Sequence, residues 1–221
     1  MQMRLSLLCA AIFLGLTFAS GQTGSSANGK AAPANDEATL AHDRHDGLDL
    51  SADPYTDAER AKTKFGKADP IPAGILPVEV FLRNELDQPI RIDLSTIQLE
   101  VHPPQGNRQE IDSLSAEEVA KAIVHPEGPP APTTRRFPPI GIPTGGKDKK
   151  VQSMEQSLQP LALDADVVPP MGMIHGFLFF NLSHQISLAQ NASLYIPDAM
   201  VVPSNKALMF FEVSLQPAPG R

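Results

Sequence analysis

The sequence has no tryptophan, only two tyrosines and a single cysteine among 221 residues. That cysteine, Cys9, lies inside the apolar run Leu5–Phe18 close to the start of the chain. The run follows Met1–Arg4 and precedes the small residues Ala19-Ser20-Gly21. A basic start, an apolar stretch and a small-residue cleavage site make up a secretory signal. The pattern predicts a signal peptide over residues 1–21, cleaved after Ala19 or Gly21. Its removal leaves a mature chain with no cysteine at all. Disulfides and a thiol nucleophile are then excluded, and stability has to come from a hydrophobic core. Long apolar runs are lacking too. The stretch Leu5–Phe18 falls short of the roughly 20 residues a bilayer-spanning helix needs, so no transmembrane segment is expected after cleavage. Cys9 has too little apolar sequence before it to be lipidated, and Gln22 stands where a lipobox cysteine would fall, so no lipid anchor is expected either.

Positive charge is also scarce. Lys plus Arg number 18 against 25 Asp plus Glu, a formal net charge of -7. Losing Arg4 with the leader subtracts one positive charge and takes this to about -8. That balance argues against nucleic acid as a partner. Proline, by contrast, is plentiful at 22 residues, which suits strands joined by irregular turns better than a helical bundle.

Four regions follow along the chain. Residues 22–54 read as an acidic, mostly disordered arm, with Asp36, Glu37, Asp43, Asp46, Asp49 and Asp53 set against Arg44. Residues 55–216 carry the core signals, and 217–221 form a short tail. Within the core region the spacing predicts a helix over Thr56–Phe65, capped by Thr56 with Glu59 three residues on. Val78, Val80 and Leu82 share one face of a strand. Ile90–Leu94 and Ile97–Val101 alternate strictly, as half-buried strands do. Ser115 and Glu118 form a capping box that opens a second helix through Ile123. Residues 126–150 form a Pro/Gly-rich loop carrying Arg135, Arg136, Lys147, Lys149 and Lys150. Strands are then expected over Leu161–Val167, Ile174–Leu182, Ser193–Ile196 and Leu208–Leu215, the last with Met209, Phe211, Val213 and Leu215 inward. The second of these is apolar on both faces, as a central strand is. About seven strands and two short helices in a mainly β chain fit an immunoglobulin-like β-sandwich.

Two segments carry a resemblance to a known family. Pro77-Val78-Glu79-Val80-Phe81-Leu82-Arg83-Asn84, followed by Gln88-Pro89-Ile90, resembles the opening hairpin of bacterial secreted immunoglobulin-like (telokin-like) domains. Val168-Pro169-Pro170-Met171-Gly172-Met173-Ile174-His175-Gly176-Phe177-Leu178-Phe179-Phe180 is similar to their later Pro-rich turn and Gly-x-x-x-Phe strand. The resemblance spans residues 72–216 in outline. It implies a fold and an extracytoplasmic setting, and it transfers no catalytic residue. The helix and the basic loop between the two halves depart from the family's compact form.

Motifs with chemistry are weak. Gly141–Asp148 approaches a phosphate-binding loop, but Pro138-Pro139 precedes it and Asp148 stands where Ser or Thr would hold Mg²⁺. His42 and His45 are metal-capable, yet Arg44 opposes a cation and too few ligands cluster for a tetrahedral site, so no metal or other cofactor is expected. A hydrolase or metal-dependent enzyme would draw on His175, His184, Asp164 and Asp166, but no Gly-x-Ser-x-Gly elbow is present. Asn181-Leu182-Ser183 and Asn191-Ala192-Ser193 are sequons by pattern. The strongest surface candidate is Arg135-Arg136-Phe137, two guanidinium groups beside an aromatic ring, suited to phosphate or carboxylate. The sequence therefore leads to a non-catalytic, secreted or periplasmic binding or accessory protein of the cell envelope, with a protein or an anionic envelope ligand as partner. An enzyme, or an envelope inhibitor or chaperone working through a strand edge or loop, are the alternatives.

Overall fold

Ile75–Asn84 and Met173–Asn181 are the backbone of the molecule, paired antiparallel from Ile75↔Asn181 to Arg83↔Met173. Both alternate with a period of two and send apolar side chains to each face. From the first, Leu76, Val78, Val80 and Leu82 enter one core; from the second, Leu178 and Phe180 join them. Ile75, Phe177 and Phe179 point the other way, into a second cluster covered by helices. Burying each of these side chains contributes on the order of 1.5–3 kcal/mol.

The computed structural model describes residues 40–103, 106–126 and 148–216, all within one unit of the chain, Pro33–Arg221. In chain order the strands are β1 Ala41–His45, β2 Leu48–Pro54, β3 Ile75–Asn84, β4 Ile90–Ile92, β5 Gln98–Val101, β6 Gln109–Leu114, β7 Val167–Val168, β8 Met173–Asn181, β9 Ala192–Ile196, β10 Ala199–Val201, β11 Lys206–Ala207 and β12 Phe211–Ser214. The helices are α1 Ala58–Phe65, α2 Ala116–Val124 and α3 Lys149–Leu158. The described chain is mainly β. An eight-stranded sheet runs β1-β2-β3-β8-β6-β5-β9-β12, and a four-stranded sheet runs β11-β10-β4-β7. Every strand pair in both sheets is antiparallel. Ile90, Ile92, Val168, Ala199 and Val201 of the smaller sheet share one apolar core with the larger. The outermost strands of the larger sheet also meet: Glu212 N–H donates to Asp43 Oδ2 at 3.0 Å, and the His45 and Phe211 rings stack at 4.0 Å.

Several expectations are corrected. Residues 41–54 are not a disordered arm: they form the β1–β2 hairpin, with Leu48 and Leu50 fully buried. Asp46 and Gly47 make its two-residue turn at φ 50° and 82°, left-handed values suited to a hairpin. The acids of the segment hide its period-two alternation. Residues 1–39 and 217–221, which hold the expected signal peptide, the first part of the expected arm and the expected tail, lie outside the described residues. Among the described residues twelve strands appear instead of about seven; the additions are the β1–β2 hairpin and β6, whose acidic residues hide their alternation, and the very short β10 and β11.

The first helix starts one residue later than expected, with Asp57 accepting from Arg60 N–H at 2.7 Å in place of Thr56. The capping box of Ser115 and Glu118 is formed as expected. A third helix, α3, was not anticipated; Asp148 caps it. Leu161–Val167 is not a strand. Only Ala162 bridges to Phe177, and β7 is limited to Val167–Val168. Gly176 permits that bridge, since a Cβ there would lie 2.7 Å from the Leu163 backbone. Met209 is 62 % exposed, while Phe211, Val213 and Leu215 are buried as expected.

Candidate functional site

Two backbone hydrogen bonds assemble one wall of a surface groove from distant parts of the chain. Ile92 N–H donates to Asp166 C=O at 2.8 Å, and Asp93 N–H donates to Asp198 C=O at 3.2 Å. Asp93 in turn shapes the turn after β4, accepting from Ser95 N–H at 3.0 Å and from Ser95 Oγ at 2.6 Å. These ties bring Asp164, Asp166 and Asp198 around a hollow of about 530 Å³ with Arg91 and Met200.

A second hollow of about 470 Å³ shares Leu94, Ser95 and Asp164 with the first and extends to Ser115 and Glu117 of α2 and Glu155 of α3. A third, of about 330 Å³, shares Glu117 and Glu155 with the second and ends at His125 and Asp148. Shared wall residues thus link the three hollows in series along this surface, the groove region of the molecule. Its floor is apolar in the middle, where Leu163 and Leu178 lie.

Carboxylates outnumber cationic groups in each hollow. The basic groups of the third are themselves occupied. Lys121 Nζ lies 2.7 Å from Glu117 Oε1, and His125 Nε2 lies 3.1 Å from Asp148 Oδ2. Asp148 also accepts from Lys150 N–H at 2.9 Å. The Lys150 backbone hydrogen bond, with a further one from His125, holds the Asp148 carboxyl below the usual carboxylate range.

The expected site residues fare differently. Arg135, Arg136 and Phe137 lie outside the described residues, as does Gly141–Lys147 of the glycine-rich stretch; Asp148 is a helix cap. His175 is exposed on β8, with its ring stacked on Phe81 of β3 at 5.7 Å. His184 sits in a left-handed turn beyond the opposite end of β8, backed closely by Gly74. The six residue steps from His175 to Asn181 along β8 alone span roughly 20 Å. The two histidines therefore do not converge, and neither lines the hollow that holds Asp164 and Asp166.

His42 and His45 are three apart on β1 and so face opposite sides. Among the described residues no group of three His, Cys, Asp or Glu side chains is placed to hold a metal ion. No described helix is long and apolar enough to cross a membrane. Asn181 uses its side chain to accept from Ser183 N–H at 2.8 Å.

No family model, curated protein or solved structure matches the chain. The groove itself is the feature that sequence reasoning missed. Asp164 and Asp166 are legible in the sequence, but Asp93 and Asp198 carry no local motif and come near only through the backbone pairings above, and Glu155 comes from α3.

Proposed function

We propose that the chain is exported and works outside the cytoplasm as a non-catalytic binding protein of the cell envelope, built on an immunoglobulin-like β-sandwich. The leader pattern of residues 1–21 supports export, and the core shared by the two sheets supports a two-layer arrangement. The observation that carries the binding reading is the set of three hollows linked by shared wall residues of the turn after β4, the Leu163–Asp166 segment, α2 and α3. Such a surface, held by a rigid β scaffold, suits recognition. The hydrolase reading needs His175, His184 and Asp166 within hydrogen-bond reach of one another, and β8 holds the histidines apart.

The basic segment with Arg135, Arg136 and Phe137 leaves and re-enters at His125 and Asp148, both of which line the third hollow. It supplies a second contact, for anionic groups of the partner or the envelope. An inhibitor or chaperone of an envelope protein would instead use an exposed strand edge or the basic loop.

The test is a paired one on the full chain produced in its own host. Mass analysis of the exported fraction should give a mature start at Ser20 or Gln22, and the purified protein should hydrolyse none of a panel of esters, peptides and glycosides. Retention of the leader in the cytoplasm, or hydrolysis that disappears in His175→Ala, would overturn the proposal.

A further inference from the structure

We infer that the groove takes an extended, positively charged peptide segment of a partner protein. The inference rests on the binding-protein reading above and deepens it by naming the occupant. Length is the first argument. Three hollows linked in series by shared wall residues, the first lined by Asp198 and the third by Asp148, fit a chain laid along the surface better than a compact small molecule. Charge is the second. Asp164, Asp166 and Asp198 gather in the first hollow, and Glu155 stands between the second and third. Asp164, Asp166 and Asp198 are exposed, so a cationic side chain reaches them without desolvating a buried ion. The structural carboxylates are a separate set: Asp93 and Glu118 shape the turn after β4 and the start of α2, and Asp148 the start of α3.

Chemistry along the groove is the third argument. Leu94, Leu163 and Leu178 interrupt the acids, while Ser95, Ser113 and Gln159 add hydrogen-bonding groups. A peptide with basic residues spaced by apolar ones meets all three kinds of wall. A bare polyamine would leave the apolar middle uncovered. Complementary charge of this type speeds encounter and selects partners, and it is sensitive to salt.

The probe is a fluorophore-labelled peptide alternating Lys with Leu or Val, titrated against the full mature chain with anisotropy as readout. Three comparisons accompany it: a Glu-for-Lys peptide of the same length, spermine as competitor, and the variant Asp164→Asn with Asp166→Asn and Asp198→Asn. Saturable binding is expected, weakened at least about tenfold by the triple variant and by raised salt, with no binding of the acidic peptide and no competition from spermine at equal charge. Glu155→Gln, in the neighbouring hollow, should weaken the same peptide by a smaller factor and covers the event that the triple variant misfolds. No saturable binding, or binding that both variants leave unchanged, overturns the inference. Displacement by spermine at equal charge overturns it in favour of a polyamine site. If the export and hydrolysis tests still hold, the binding-protein reading survives that failure and only the occupant falls.

Discussion

Tyr55 donates its hydroxyl to Glu79 Oε2 at 2.8 Å beneath α1. Glu79, on the helix-covered face of β3, is 8 % exposed, and Lys64 Nζ of α1 reaches its other oxygen at 3.2 Å. Arg60 of the same helix lies over the Tyr55 ring at 3.8 Å and forks onto Asp53 at the end of β2. One buried carboxylate and one phenol thus anchor α1 to the sheet. Tyr55→Phe removes a hydrogen bond to a charged group and should cost about 2 kcal/mol, read from chemical denaturation with unchanged slope. A stability equal to wild type would show that the pair contributes nothing.

The same contact has a consequence at high pH. Burial, with Glu79 beside it, pushes the Tyr55 hydroxyl well above its usual range. A group raised in the folded state gives stability that is complete below about pH 10 and is lost as pH climbs toward the folded value. In a Tyr195→Phe background Tyr55 is the only phenol, so its absorbance titration should coincide with alkaline unfolding. Phenolate formation in the still-folded protein near the ordinary tyrosine range would contradict this.

Asn84 ends β3 with its side-chain amide pointed at the Pro169 turn. Nδ2 donates to Gln88 C=O at 2.8 Å and Pro169 C=O at 3.1 Å, and Oδ1 accepts from Leu86 N–H at 2.8 Å. The residue is buried to 1 % exposure, so Asn84→Leu strands several backbone groups at once. The expected loss is about 3 kcal/mol, measured as a fall in the denaturation midpoint. Asn84→Asp keeps the bond from Leu86 but turns a buried carboxylate toward the carbonyls of Gln88, Val168 and Pro169, and should cost at least as much.

Gly176→Ala tests how the groove wall is attached. The added methyl would meet the Leu163 backbone, which donates through its N–H to Phe177 C=O at 3.0 Å. Overpacking of this kind costs roughly 1–3 kcal/mol. Faster amide exchange at Leu163 and Phe177, with β2 and β3 unchanged, is the local signature.

Acid should loosen the start of α3. Asp148 is held below the usual range, so the stability it gives is present above about pH 4 and is lost as pH falls through its folded value. Exchange at Lys150 N–H should rise over that interval in the wild type. In Asp148→Ala it should be fast at every pH, and a wild-type profile in that variant would remove Asp148 from the cap.

The parts of this fold that show in the sequence are those where one face is apolar and the pattern is uninterrupted. β3 is visible because Val78, Val80 and Leu82 line one face, β8 because Ile174–Leu182 is largely apolar, and α2 because Ser115 and Glu118 sit at capping-box spacing. The β1–β2 hairpin is masked by its own charge: Asp43, Asp46, Asp49 and Asp53 make an amphipathic ribbon look like a solvated tail, although Asp46-Gly47 is a strong hairpin turn. Met209 was placed inward by extending a period past the true start of β12. The groove could not be read at all, because Ile92 meets Asp166 and Asp93 meets Asp198 only through pairings distant in sequence. Nor does spacing distinguish a scattered His175 and His184 from a convergent pair; the length of β8 does.

Hydrogen exchange on the full mature chain, with and without the Lys-containing peptide, addresses the groove most directly. Slowed exchange is expected over residues 92–95, 115–118 and 163–166, with β1, β12 and the exposed Met171 and Met209 unaltered. Protection confined to those latter segments, or none anywhere at saturating peptide, would mean that the acid-lined surface is not where this protein binds.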